Sequence, residues 1–140
     1  MIKQLTVFLE NDQGHLAAVT KTLADAGISL TALTVADTTD FGVARILVSE
    51  PEKAQAVLTD AGYRSRLIDV YAVEVPNVAG GLAKLLTAFD EAGINLEYAY
   101  CFASTPEAAV DVFRVEQSDR VQAIVEDIGF KLLTTDSLYK

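Results

Sequence analysis

The chain has 140 residues, 51% hydrophobic and 22% charged with three prolines, a balance that suits one ordinary packed domain or two very small ones and excludes a disordered chain. Twenty acidic residues against eleven basic ones leave a formal charge of −9 with no Lys/Arg-rich run, so neither nucleic acid nor an anionic membrane surface is an expected partner. The apolar runs are strand-sized, far short of the roughly 20 residues that cross a bilayer, the single Cys101 has no mate for an internal disulfide, and the start MIKQLTVFLEND lacks a signal-peptide pattern; a reducing cytoplasm fits best.

Taken in order, Lys3 to Leu9 alternates with Leu5, Val7 and Leu9 on one face, the pattern of a first strand. Gly14 to Ala26 then carries Leu16, Val19 and Leu23 at helical spacing, and Gly27 stands at the expected stop. A strand from Ile28, a turn at DTTDFG, a strand at VARILVS, a helix over Glu52 to Ala61 and a closing strand after Gly62 complete a βαββαβ order. Ser49 is placed to cap that second helix, with Pro51 in its first turn.

The series then recurs. Asp69 to Val75 presents Tyr71, Val73 and Val75 on one face, Gly80 to Ala92 is helical with Leu82, Leu85, Leu86 and Phe89 in register, and Gly93 stops it. A strand from Ile94, the turn STPEAA, the strand VDVFRVE, a helix over Asp119 to Ile128 behind Ser118 and a strand after Gly129 follow. An offset of 66 lays GHLAAVTKTLADAGISL on GGLAKLLTAFDEAGINL, matching Gly14/Gly80, Leu16/Leu82, Ala17/Ala83, Ala26/Ala92, Gly27/Gly93, Ile28/Ile94 and Leu30/Leu96. Further on the offset is 67, keeping Gln55/Gln122, Ala56/Ala123, Asp60/Asp127 and Gly62/Gly129, so the second copy holds one extra residue, placed in the longer STPEAA turn.

Two α+β units of ferredoxin-like topology result, residues 1–67 and 68–140, each an antiparallel four-stranded sheet with both helices on one face. No linker separates them, so YRSRLIDVYAVEV must serve as the last strand of one and the first of the next. If Leu33, Val35, Ala99 and Cys101 face the helices, Tyr98, Tyr100 and Phe102 line the other face with Phe8, Val43, Leu47 and Val112. Such an apolar face needs a cover, most simply in a homodimer; a one-residue bulge would instead turn the stripe into the core.

Both units place an Asn after the first strand and a Gly at the opening of the first helix: Asn11-Asp12-Gln13-Gly14-His15-Leu16 and Asn77-Val78-Ala79-Gly80-Gly81-Leu82. Glycine lets a ligand approach the backbone, and the N–H groups of a first helical turn attract a carboxylate. Side chains of Asn11, Asp12 or Asn77 and carbonyls of Leu33, Thr34, Ala99 and Tyr100 offer acceptors for an ammonium, so an amino acid suits the site at both ends. Asn and Gly also cap and turn in ordinary loops, and repetition alone does not separate the two roles.

A strand, a loop N-x-x-G, a thirteen-residue helix and A-G-I-[SN]-L entering the next strand resemble the ACT domain family, twice over and across essentially the whole chain. The resemblance implies a regulatory module that binds an amino acid or similar small metabolite at the interface between ACT units. By position it implicates Asn11 to Leu16 and Asn77 to Leu82, with Leu33, Thr34, Tyr98, Ala99 and Tyr100 nearby. Gln13 and Ala79 stand where the family often has proline before its glycine, and no catalytic domain is attached. A standalone tandem module either acts on a separate metabolic enzyme or simply holds its ligand.

The remaining residues point away from catalysis. His15 is the single histidine, Cys101 reads as a small apolar residue aligned with Val35, the carboxylates spread over helix surfaces, and Gly80-Gly81 lacks the spacing and lysine of a phosphate loop. No cofactor or metal is called for. The competing reading is a protein interaction module that uses the Tyr98/Tyr100/Phe102 face without any small ligand.

Overall fold

The computed structural model describes residues 1–10, 14–37, 41–116 and 119–139. Contacts divide the chain into two compact units, Lys3–Asp69 and Val70–Lys140, the latter with Met1–Ile2.

In the first unit β1 (Ile2–Glu10) leads into α1 (His15–Asp25), β2 (Leu30–Asp37), β3 (Phe41–Val48), α2 (Pro51–Asp60) and the opening of β4 (Arg64–Pro76). β3 lies between β1 and β2, antiparallel to both, and the start of β4 runs on the other side of β1, where Lys3 Nζ meets Asp69 Oδ1 at 2.6 Å. The core is the side chains that alternation sends to one face of the sheet, Leu5, Val7, Leu9, Ala44, Ile46 and Val48, closed over by Val19 and Leu23 of α1 and Ala54 and Leu58 of α2.

The second unit repeats this with the rest of β4, α3 (Gly81–Glu91), β5 (Leu96–Ala103), β6 (Ala108–Val115), α4 (Val121–Asp127) and a two-residue β7 (Lys131–Leu132), followed by the short α5 (Thr135–Leu138). β6 pairs with both β4 and β5, and β7 with β4. Its core is larger-ringed: Tyr71 stacks on Phe113 at 5.7 Å between centroids, and Phe89 of α3 meets Phe113 at 5.1 Å, over Val73, Val75, Leu85, Val121 and Val125.

The βαββαβ order and the double use of YRSRLIDVYAVEV follow the sequence, the latter as the single thirteen-residue strand β4. The extra residue sits in the hairpin turn: residues 38–40 separate β2 from β3, while Ser104–Glu107 separate β5 from β6. Other expectations need correction. α2 is capped at Glu50, not Ser49, and without a side-chain hydrogen bond; Ser118 lies outside the described residues. α5, which the sequence reading lacks, is held by a reciprocal cap between Thr134 and Ser137.

Sheet register settles the faces. Bulges fall at Leu30/Ala32 and Leu96/Tyr98, at the strand starts, and beyond them Ala99 opposes Phe113 and Cys101 opposes Asp111, while Tyr98, Tyr100 and Phe102 oppose Arg114, Val112 and Val110. Phe113 is core, so the aromatic stripe is on the face away from the helices, where it is half-buried. Leu33 and Val35 do share the helix side with Ile46 and Ala44, yet they are exposed at 41% and 46%, because β2 is an edge strand. On the opposite face Gln4 and Thr6 are buried, the Gln4 amide donating to the Thr6 hydroxyl at 2.9 Å, so that face is less uniformly apolar than the sequence reading has it.

Phe89 is 1% exposed and fills the second core. Phe89→Ala is expected to cost about 3–5 kcal/mol, read from the urea midpoint at constant slope.

Candidate functional site

Each unit turns from its first strand into its first helix through a glycine in the left-handed region, Gly14 at φ 95° and Gly80 at φ 84°. A Cβ at either would meet nothing within 4 Å, so what demands glycine here is the backbone angle and not crowding. Neither Gly14 nor Gly80 makes a side-chain cap hydrogen bond to its helix, and a helix cannot satisfy the N–H groups of its own first turn.

Asn11, Asp12 and Gln13 lie outside the described residues. Of the rest of that loop, Gly14 is exposed, and His15 and Leu16 are half-buried, Leu16 packing on the first core. Thr34 is half-buried beside the exposed Leu33 on β2, whose outer edge is unpaired among the described residues.

The second loop is described throughout. Asn77 does not cap α3: its backbone N–H donates to Glu107 O at 2.9 Å and its side-chain amide to Pro106 O at 3.2 Å, tying the loop to the β5–β6 hairpin. Val78 is 68% exposed, Ala79 and Gly80 are exposed, and Leu82 is exposed at the helix start. Gly81 has a structural part as well: it is buried, its N–H is taken by Val78 O at 3.1 Å, and a Cβ there would run into the Pro76 carbonyl. With that donor used, Leu82 and Ala83 supply the first-turn N–H groups that remain among the described residues. On β5, Tyr98 and Tyr100 are half-buried and Ala99 exposed.

Two features were not read from the sequence. One is a pair on the helix side of the second sheet: the Cys101 thiol donates to Asp111 Oδ1 at 3.1 Å, while Asp111 is 1% exposed and its Oδ2 has no partner. Burial, the hydrogen bond and the neighbouring carboxylate together push the Cys101 thiol up to about 12, so although the residue is exposed its sulfur is a poor nucleophile. Burial also raises the Asp111 carboxyl above its usual range, with the thiol hydrogen bond acting against it. The aligned first-unit residues, Val35 and Ala44, are apolar, and that contrast was the available signal.

The other is a cleft of about 780 Å³ in the first unit, where β1 ends and β4 begins, lined by Phe8, Leu9, Glu10, His15 and Gly62 to Arg66. Among the described residues no helix is long and apolar enough to cross a membrane, and no three metal-ligating side chains cluster.

Two ferredoxin-like units, each with a glycine-opened first helix, define a tandem α+β architecture, and the family comparison agrees. The model of the ACT domain pair matches residues 1–140, and the chain belongs to that family. A crystallised protein of Bacteroides thetaiotaomicron is 39% identical, with a TM-score of 0.91 over 99% of this chain and 95% of its own. The ligand-free regulatory subunit of aspartate kinase from Thermus thermophilus is similar in fold alone, at 17% identity and a TM-score of 0.67, covering 89% of this chain and 90% of that one. Aspartokinase III of E. coli, solved with lysine and aspartate, is 20% identical with a TM-score of 0.55, covering 91% of this chain and 31% of its own. No curated protein matches the sequence significantly.

Gly81→Ala is expected to destabilise by about 1–3 kcal/mol through the forced shift of Pro76, measured by chemical denaturation. For Asp111 the sign follows from a folded pKa above the unfolded one: the folded state holds its proton more tightly, so this group's contribution is favourable at acid pH and is lost as pH rises through the raised value. Asp111→Asn should therefore gain stability relative to wild type on going from about pH 4 to about pH 8, in paired urea melts.

Proposed function

We propose that this chain is an amino-acid-binding regulatory protein that performs no covalent chemistry, with residues 1–67 and 68–140 as its two repeats. The observation that carries this reading is the pair of left-handed glycines, Gly14 and Gly80, each opening a helix that has no side-chain cap. Donors left over at a helix start, with the helix dipole behind them, favour a carboxylate. Acceptors for the ammonium are at hand in the half-buried edge-strand residues and in the unused side-chain oxygen of Asn77. Family membership points the same way, as does the occurrence of this fold in proteins described as regulatory subunits.

The protein is proposed to work in the cytoplasm as a homodimer, either acting on a separate metabolic enzyme or holding its ligand in reserve. A second reading has one observation in its favour: Tyr98, Tyr100 and Phe102 stand on the sheet face away from the helices and are only half-buried. They would serve a protein partner without any small ligand.

A thermal-shift and calorimetric panel of the twenty amino acids separates the two. The right ligand at 100 times its Kd should stabilise by about 2.7 kcal/mol, and Gly14→Val or Gly80→Val should remove that gain at the repeat concerned while leaving the oligomer intact. Silence across the panel, with Tyr98→Asp and Tyr100→Asp dispersing an assembly, would favour the interaction module.

A further inference from the structure

The first-unit cleft differs in chemistry from the rest of this acidic molecule. Two guanidinium groups, Arg64 and Arg66, line it from adjacent same-face positions on β4, about 6–7 Å apart along the strand. Leu67 packs into the core, so alternation puts both arginines on the other face, the one that also carries Phe8 and Glu10 of the neighbouring β1. Both are exposed, and neither forms an ion pair among the described residues, although the chain has twenty acids to eleven bases. Ser65 lies between them in sequence, but by the same alternation its side chain is on the core side with Leu67. The volume falls within the about 300–1,000 Å³ common for small-ligand sites.

The second repeat does not keep this set. Aligned with Arg64, Ser65 and Arg66 are Lys131, Leu132 and Leu133, and aligned with Glu10 and His15 are Pro76 and Gly81. There Lys84 lies over the ring of Phe130, the counterpart of Tyr63, at 5.4 Å from its centroid, whereas the first repeat has Ala18 at the position of Lys84. The first copy thus has two guanidiniums where the second keeps a single ammonium and a leucine.

Counting the acidic and basic groups that line the cleft, Arg64 and Arg66 against Glu10, gives an excess of one positive charge. A ligand that matches has two acid groups and one amine. We infer that this cleft binds an acidic amino acid, its carboxylates held by Arg64 and Arg66 and its ammonium by Glu10. The inference rests on the amino-acid reading above and narrows it to a ligand class and a repeat. Guanidiniums recognise carboxylates through parallel hydrogen bonds, which is what the two arginines offer the acid groups.

The test is calorimetry on the full chain with L-aspartate, L-glutamate, their amides L-asparagine and L-glutamine, and succinate. The acidic amino acids should bind at least roughly tenfold more tightly than the amides, and Arg64→Gln and Arg66→Gln should each weaken them about tenfold. Glu10→Gln should weaken both amino acids while succinate, which has no amine, binds at least as tightly as before; this separates the amine from the acid groups. Thr87→Ala, on the exposed side of α3 in the other repeat, should have no effect on these affinities. Glu10, Arg64, Arg66 and Thr87 are all exposed, so unliganded melting midpoints should stay at the wild-type value. Equal binding of acids and amides, or acid binding that survives both arginine substitutions, would overturn the inference while leaving the amino-acid reading in place. Silence of the acidic amino acids while another of the twenty binds would overturn the inference alone, and silence of all twenty would remove both.

Discussion

A helix that begins without a side-chain cap must have its first donors satisfied from elsewhere, and in this chain that condition is imposed by two backbone angles. Gly14 and Gly80 take the chain through the left-handed region as it leaves the first strand of each repeat. That conformation swings the backbone directly into α1 and α3, leaving no Ser, Thr, Asp or Asn side chain at the cap position to reach back to the helix amides. The core fixes the rest: Val19 and Leu23 on one helix, Leu85 and Phe89 on the other, anchor each helix so that its start cannot retreat.

Much of this was legible. The glycines at 14, 27, 80 and 93 punctuate helices with clear apolar stripes, and the two copies check each other, which is why the element order and the shared β4 could be read from one chain. The assignment of sheet faces held because the bulges sit ahead of the residues that matter. What sequence pattern missed was environment. Leu33 and Val35 alternate as core residues do, but an edge strand extends past the helices that would cover them. Gln4 and Thr6 look solvent-facing and are buried, the Gln4 amide donating to the Thr6 hydroxyl. Gly81 reads as part of a ligand loop, while its lack of a side chain is needed first by the Pro76 carbonyl.

The two repeats share a frame and differ in detail. Where the first has Val35 opposite Ala44, the second has Cys101 opposite Asp111, a thiol and a buried carboxylate at the same place in the sheet. Where the first ends its second helix before Arg64, Ser65 and Arg66, the second has Lys131 and two leucines. Duplication supplied two equivalent scaffolds, and substitutions at a few strand positions have given them unlike chemistry without altering the packing that holds them.

The second repeat's loop is also stitched to the hairpin that carries its extra residue, through the two donors of Asn77 on Glu107 and Pro106. A loop held in this way surrenders its conformational freedom when the protein folds, and a molecule arriving later has that much less disorder to suppress. The hairpin that is longer by one residue thus fixes a loop distant from it in sequence.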